Sequence, residues 1–162
     1  MRTTDFRLFQ KMEFTKEHRT LLADMLREQR KVQGDLNSKI DRCRLLCIAY
    51  VDDQPAAIGA IKEATQSDFE PAKSDLTALA DKFHWELGYV FTRPAHAGEG
   101  LASRIVRMLL NAYGDDPIMA STEACMNPGM VRILEGSGFR TFGKPWKSAI
   151  HDNMLALFLR NG

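Results

Sequence analysis

Apolar residues recur along the chain with two different periodicities, which together predict a mixed α/β fold. The run at 44–51 is almost continuously apolar and is typical of a buried strand. The segment 101–114 instead places apolar residues at helical spacing, namely Leu101, Ile105, Met108, Leu109 and Ala112. The predicted strands cover 6–12, 44–51, 56–61, 84–92, 118–123, 139–142 and 153–159. The predicted helices cover 15–31, 35–40, 101–114 and 128 to 136 or 138.

Residues 63–83 interrupt this alternation of strands and helices. They contain Ser67, Asp68 and Pro71 and predict one further helix over 75–83. We interpret this segment as an insertion in a hairpin. The chain has 162 residues, which is enough to bury a core and predicts a single domain spanning 1–162.

Composition and charge exclude several classes of function. Apolar residues make up 44% of the chain and charged residues 27%, as in a globular protein. The 22 Lys and Arg residues balance 21 Asp and Glu residues, so no basic surface predicts a nucleic-acid partner. No apolar run approaches ~20 residues and no leader-like segment precedes the first strand, so we expect a cytoplasmic protein without membrane contact.

Cysteine and histidine spacing gives no support for a metal site or a disulfide framework. The three cysteines are too few and odd in number for a disulfide scaffold, which predicts a reducing compartment. Cys43 and Cys47 lie four residues apart, but no second pair of cysteines or histidines completes a zinc set. We therefore expect these two thiols to be buried structural residues.

The loop at 93–100 carries the clearest chemical signal. It joins a predicted strand to a predicted helix and contains Gly98 and Gly100. Unpaired N–H groups at a helix N-terminus, with the positive end of the helix dipole, favour an anion such as a pyrophosphate. The P-loop pattern is absent, and no dinucleotide fingerprint follows the first strand. The loop alone leaves a plain turn as the alternative.

Two motifs resemble those of the GNAT superfamily of acyl-CoA-dependent N-acetyltransferases. Residues 92–102 read TRPAHAGEGLA, similar to the family signature V-x-P-x-x-(R/Q)-G-x-G-x-(G/A). A second family motif, N-x-x-A-x-x-x-Y-x-x-x-G-F, has its counterparts at Asn127, Met130, Leu134, Gly138 and Phe139. The element order also fits, so the resemblance covers nearly the whole chain.

The resemblance implies a central, mostly antiparallel and splayed sheet flanked by helices, with acetyl-CoA as cosubstrate and no metal. In the family, the signature loop binds the pyrophosphate and the fourth strand pairs with the pantetheine arm. The implied coenzyme-binding residues are Val90, Phe91, Thr92, Ala97, Gly98, Glu99, Gly100, Leu101, Ala102, Ser103 and Asn127. The implied reaction is direct attack of a primary amine on the thioester, with a small molecule, a peptide or a protein as acceptor. Many relatives form homodimers through their terminal strands.

Catalysis of this kind needs a base for the substrate ammonium and a donor for the developing oxyanion. Glu86 lies six residues before Thr92, where the histone-acetyltransferase branch of the family has its catalytic glutamate. Glu123, at the end of the fifth predicted strand, is the second candidate base, and the backbone N–H near Phe91 is the candidate oxyanion donor. A structural ion pair or a solvent-facing side chain is the alternative for Glu86.

Two positions depart from the family pattern. Ala97 replaces the Arg or Gln of the signature loop, so that cation must come from elsewhere, with Arg93, His96, Arg104 and Arg107 as candidates. Leu134 replaces the tyrosine that serves the family as general acid. The alternative function is therefore a non-catalytic acyl-CoA-binding or sensor module of the same fold.

Overall fold

A computed structural model describes residues 1–162 and places seven strands in one sheet. The strands are β1 Thr4–Gln10, β2 Cys43–Val51, β3 Gln54–Glu63, β4 Trp85–Thr92, β5 Ile118–Thr122, β6 Arg140–Lys147 and β7 Met154–Arg160. The helices are α1 Lys16–Gln29, α2 Leu36–Asp41, α3 Leu101–Tyr113 and α4 Pro128–Gly136. The strand order is β1-β2-β3-β4-β5-β7-β6. This mixed α/β sheet flanked by helices confirms the predicted fold class.

The sheet is antiparallel at β1–β2, β2–β3, β5–β7 and β6–β7, and it is parallel at β4–β5. The parallel contact is short, with Glu86 opposite Met119 as its paired position. Two compact units make up the chain. One contains Met1–Lys62 and Leu87–Gly114, and the other contains Glu63–Glu86 and Asp115–Gly162.

The first unit is built on the β1–β2–β3 meander, with the buried face of α1 in its core. Thr15 caps α1 by accepting a hydrogen bond from the N–H of His18, which fixes where the helix begins. Leu22, Met25 and Leu26 recur at helical spacing and are fully buried. They form one apolar cluster with residues of β2 and β3.

Helix α3 lies close to β3 within the same unit, and Gly59 makes this approach possible. A Cβ atom at Gly59 would lie 2.6 Å from Cγ2 of Ile105 and 3.2 Å from Cδ1 of Leu109. Both of those residues are fully buried. Leu101, Ile105 and Leu109 of the predicted apolar face of α3 are buried, but Met108 is half-buried and Ala112 is exposed. The buried face also includes three residues that were not predicted, Val106, Leu110 and Tyr113.

The second unit contains β5, β7 and β6 together with the segment that precedes β4. Phe69 and Phe83 stack at 5.8 Å between ring centroids and belong to an apolar cluster with Met119, Trp146 and Leu157. The segment 63–83 therefore contributes buried side chains to the apolar core of this unit.

Three predicted elements are wrong in their details. Strand β1 covers Thr4–Gln10 instead of 6–12, because Lys11–Glu13 forms a 3-10 helix. Residues 77–82 form a 3-10 helix instead of an α-helix over 75–83. Asp75, with a φ of 62°, has a left-handed backbone that an α-helix cannot accommodate. Strand β6 continues to Lys147 instead of ending at 142, because the register shift between Phe142 and Trp146 carries the strand past its Gly-Lys-Pro sequence. No helix combines the length and apolar character needed to cross a bilayer.

Candidate active site

Strand β4 changes its backbone conformation just before the predicted coenzyme-binding residues. Tyr89 has a φ of 56°, a left-handed value that is unusual for a bulky side chain within a strand. The next residues, Val90, Phe91 and Thr92, are half-buried. The carbonyl of Val90 accepts a hydrogen bond of 3.1 Å from Nε2 of Gln29 on α1, so a polar side chain already reaches this part of β4.

The loop after β4 leaves a continuous run of backbone N–H groups without a partner. The N–H groups of His96 and Ala97 donate to the carbonyls of Arg93 and Pro94 in a 3-10 turn. The next N–H group with an acceptor in the protein is that of Arg104, which donates to Gly100 at 3.3 Å. The N–H groups of residues 98–103 make no hydrogen bond within the protein. This geometry can bind an anion at the start of α3.

Gly98 and Gly100 give this loop its shape and keep it open. Their φ values are 79° and 78°, in the region that favours glycine. A Cβ atom at either position would meet no atom within 4 Å, and both residues are exposed. The space that a side chain at either position would enter is therefore free of protein atoms.

Two of the cations predicted to replace the missing signature arginine, Arg93 and Arg104, have other partners, whereas Arg107 is exposed on α3. Arg93 binds Glu28 through Nε and Nη2 at 3.1 and 2.8 Å and also donates to the carbonyl of Pro55. The hydrogen bond from Arg93 lowers the pKa of Glu28 below its usual value, and the same contact raises the pKa of Arg93. The guanidinium of Arg104 lies over the ring of Phe6, 4.1 Å from its centroid.

His96 and Glu99 in the loop are joined by a residue that the sequence analysis did not single out. Nη2 of Arg2 lies 3.0 Å from Nδ1 of His96 and 3.3 Å from Oε2 of Glu99. Arg2 is 94 positions away from His96 in sequence, so no local pattern could have predicted this contact.

In the second unit, Glu86 is a buried carboxylate at the start of β4. Its exposed fraction is 6%, and Oε1 accepts a hydrogen bond of 2.8 Å from the N–H of Thr65. The backbone donor fixes the orientation of this carboxylate. This position is compatible both with a structural role and with a base that reaches its substrate through water.

Glu123, directly after β5, is also buried and is held by two side chains. Oε1 lies 3.0 Å from Nε2 of His151, and Oε2 accepts a hydrogen bond of 2.8 Å from Nδ2 of Asn153. Nδ1 of His151 accepts from the N–H of Asn153, which places the ring proton on Nε2, where it can donate to Glu123. Both partners come from the loop between β6 and β7. No sequence motif predicts that either of them contacts Glu123.

The two candidate bases are separated along the sheet. Glu86 pairs with Met119, and Glu123 follows four positions later, which is ~13 Å further along at the usual rise per strand residue. The two carboxylates are therefore alternatives rather than a pair.

The remaining motif residues lie on α4. Asn127 begins this helix by accepting a hydrogen bond of 3.3 Å from the N–H of Met130, and its own N–H donates to the carbonyl of Glu123. Leu134 is fully buried in the core. An apolar side chain thus lies where the motif predicts the family's tyrosine, and it can supply no proton. No three His, Cys, Asp or Glu side chains converge as metal ligands would.

Comparison with known proteins identifies the family. Residues 6–139 match the profile of the acetyltransferase (GNAT) family. Because the match covers most of the chain, the protein belongs to this family. The resemblance inferred from the two motifs is therefore confirmed. A search of curated protein sequences finds no match.

Solved structures with the same fold include several acyltransferases. The chain superposes on ElaA of Escherichia coli with a TM-score of 0.71 and 13% identity, covering 98% of this chain and 99% of that one. An acyl-CoA N-acyltransferase of Pseudomonas aeruginosa gives a TM-score of 0.70 and 16% identity over the same shares of the two chains. A chain of the NatC complex bound to a Gag peptide and CoA gives 0.68 and 12%, covering 97% of each chain. At these identities the comparison shows the fold alone.

Proposed function

We propose that this protein is an N-acetyltransferase that moves the acetyl group of acetyl-CoA to a primary amine. The observation that carries the proposal is the run of unpartnered N–H groups at residues 98–103, which opens onto free space beside two glycines. A diphosphate would satisfy several of these donors at once, and the positive end of the α3 dipole would add to the attraction. The residues present therefore fit the coenzyme that the family uses.

When bound, acetyl-CoA supplies an acyl group activated as a thioester. The chain contributes binding through residues 97–103 and through Val90, Phe91 and Thr92 of β4. The backbone N–H near Phe91 is the proposed donor to the thioester carbonyl oxygen. Asn127 is the proposed contact with the pantetheine arm, in addition to its role as the cap of α4.

Glu86 is the proposed base, acting through water. Only the neutral amine has a lone pair for attack, so the ammonium proton must leave before the N–C bond forms and the C–S bond breaks. Glu86 is favoured over Glu123 because it lies six residues before Thr92, where the histone-acetyltransferase branch of the family has its catalytic glutamate. The N–H of Thr65 orients its carboxylate.

A non-catalytic acyl-CoA-binding module is the second candidate function, and Leu134 is the observation that favours it. This residue is fully buried and replaces the family's acid. A thiol with a pKa of ~8.5 leaves without an acid, but a general acid is typically worth about 100- to 10,000-fold in rate. The proposed enzyme therefore turns over slowly or relies on water as its acid.

The acceptor is an amine of a small molecule, a peptide or a protein. The NatC structure contains both a Gag peptide and CoA, which makes peptide amines a sensible first panel. We expect thiol release from acetyl-CoA that depends on one of the amines and falls at least tenfold in Glu86→Gln. The Glu63→Gln variant at the exposed end of β3 is the matched control and should retain full activity.

The two candidate functions differ in the outcome of this assay. Binding of CoA without turnover of any amine would favour the non-catalytic module. Turnover that is unchanged in Glu86→Gln and lost in Glu123→Gln would transfer the role of base to Glu123.

A further inference from the structure

The signature loop has no cation of its own at the position where the family has one. Ala97 occupies that position, and the only charged side chain between the two loop glycines is the carboxylate of Glu99. A carboxylate so close to an anion site weakens the binding of phosphate unless a positive charge offsets it. The nearby Arg93 is engaged by Glu28 through two hydrogen bonds.

Arg2, in the segment before β1, provides a positive charge at this loop. Its Nη2 atom contacts both Nδ1 of His96 and Oε2 of Glu99, at 3.0 and 3.3 Å. These two loop residues flank Gly98, so the guanidinium is held against the turn that carries the unpartnered N–H groups.

The guanidinium of Arg2 still has donors available for a ligand. Its hydrogen bonds all involve Nη2, which leaves the N–H groups of Nε and Nη1 without a protein acceptor. The side chain is 56% exposed, whereas that of Glu99 is 29% exposed. A planar, permanently charged group with free donors is well suited to bind a phosphate.

We propose that Arg2 is a phosphate-binding residue for CoA, held beside the loop by Glu99 and His96, and that it supplies the charge that Ala97 cannot. This inference rests on the proposed coenzyme site and adds to it a residue from a distant part of the chain. Glu99 is then a positioning residue, since it orients a cation toward the phosphate instead of repelling the ligand.

Calorimetric titration with CoA tests this assignment. We expect Arg2→Ala to raise the Kd for CoA roughly three- to tenfold, as for a partly exposed cation that contacts a phosphate. The factor should shrink between about 0.05 and 0.5 M salt, because added ions screen an exposed charge. Pantetheine, which has no phosphate, should show no difference between wild type and variant. Arg27→Ala is the matched control, since Arg27 is 65% exposed and is paired with Asp24.

A second background separates a direct contact from simple neutralisation of Glu99. The Glu99→Gln variant loses the negative charge but keeps an amide oxygen that can accept from Nη2 of Arg2, so the Arg2→Ala substitution should still weaken CoA binding by a similar factor in this background. If its effect disappears in that background, Arg2 only offsets the charge of Glu99 and the assignment is wrong. Equal CoA affinity of wild type and Arg2→Ala would also overturn it, and the proposed coenzyme site would remain. Failure of the wild-type protein to bind CoA would instead remove the proposed function and this inference together.

Discussion

Replacing Gly100 by alanine should lower the affinity for CoA by more than its effect on folding stability explains. Gly100 begins α3 with a φ of 78°, and a Cβ atom there would meet no protein atom within 4 Å. The cost in folding is therefore conformational only, roughly 1–2 kcal/mol for a left-handed residue with a Cβ atom. Gly34→Ala is a matched substitution, because Gly34 has a φ of 89° and its nearest contact would be an ordinary 3.7 Å.

Urea unfolding should show similar losses of stability in the two variants, whereas titration with CoA should not. Gly100→Ala would add a methyl group and a strained left-handed residue to the loop whose N–H groups at residues 98–103 we propose as the diphosphate site. We expect its CoA affinity to fall at least tenfold, which corresponds to about 1.4 kcal/mol, and the affinity of Gly34→Ala to stay at the wild-type value. The reasoning is refuted if Gly100→Ala is destabilised as expected but binds CoA as tightly as wild type.

Three further predictions concern the fold and its charges. Gly59→Ala should lower the free energy of unfolding in urea by ~1–3 kcal/mol, and by less in an Ile105→Ala background, because the new Cβ atom clashes with Cγ2 of Ile105. A thiol reagent should label exposed Cys125 rapidly in the native protein and the other two cysteines only after unfolding, since burial raises their pKa to about 12. Glu28→Gln should lower the Tm at pH 7, and the two proteins should converge as the pH falls well below 4.5, because Arg93 lowers the pKa of folded Glu28 and the pair is lost when the carboxylate is protonated. Equal labelling of all three thiols, or a Tm difference that persists in acid, would contradict the last two.

Most of the fold could be predicted from the sequence because its elements are locally specified. Helix α3 has a strong apolar face and glycines at both ends, and the structure places it at Leu101–Tyr113. Strand β6 was predicted too short because glycine and proline usually end strands. Here the strand continues through Gly143, which has a φ of 75°. A Cβ atom at this position would clash with the carbonyl oxygen of Ser74, so only glycine allows the two backbones to approach this closely.

One part of the candidate site could be predicted from the sequence, and another part could not. The open N–H groups of the loop follow from local glycine chemistry and could be predicted. The partners of its charged residues could not, because Arg93 and Glu28 are 65 positions apart and Glu123 and Asn153 are 30 apart. Such pairs depend on which surfaces the fold brings together, and that information is absent from any local pattern.

The most direct test of the proposed coenzyme site is a titration of the 15N-labelled protein with CoA, followed through its backbone amide resonances. If the account is correct, the amides of residues 98–103 shift most at saturation, since several of them gain a charged acceptor that they lack in the free protein. Binding that leaves these amides unperturbed, or no binding at millimolar CoA, would contradict the central claim.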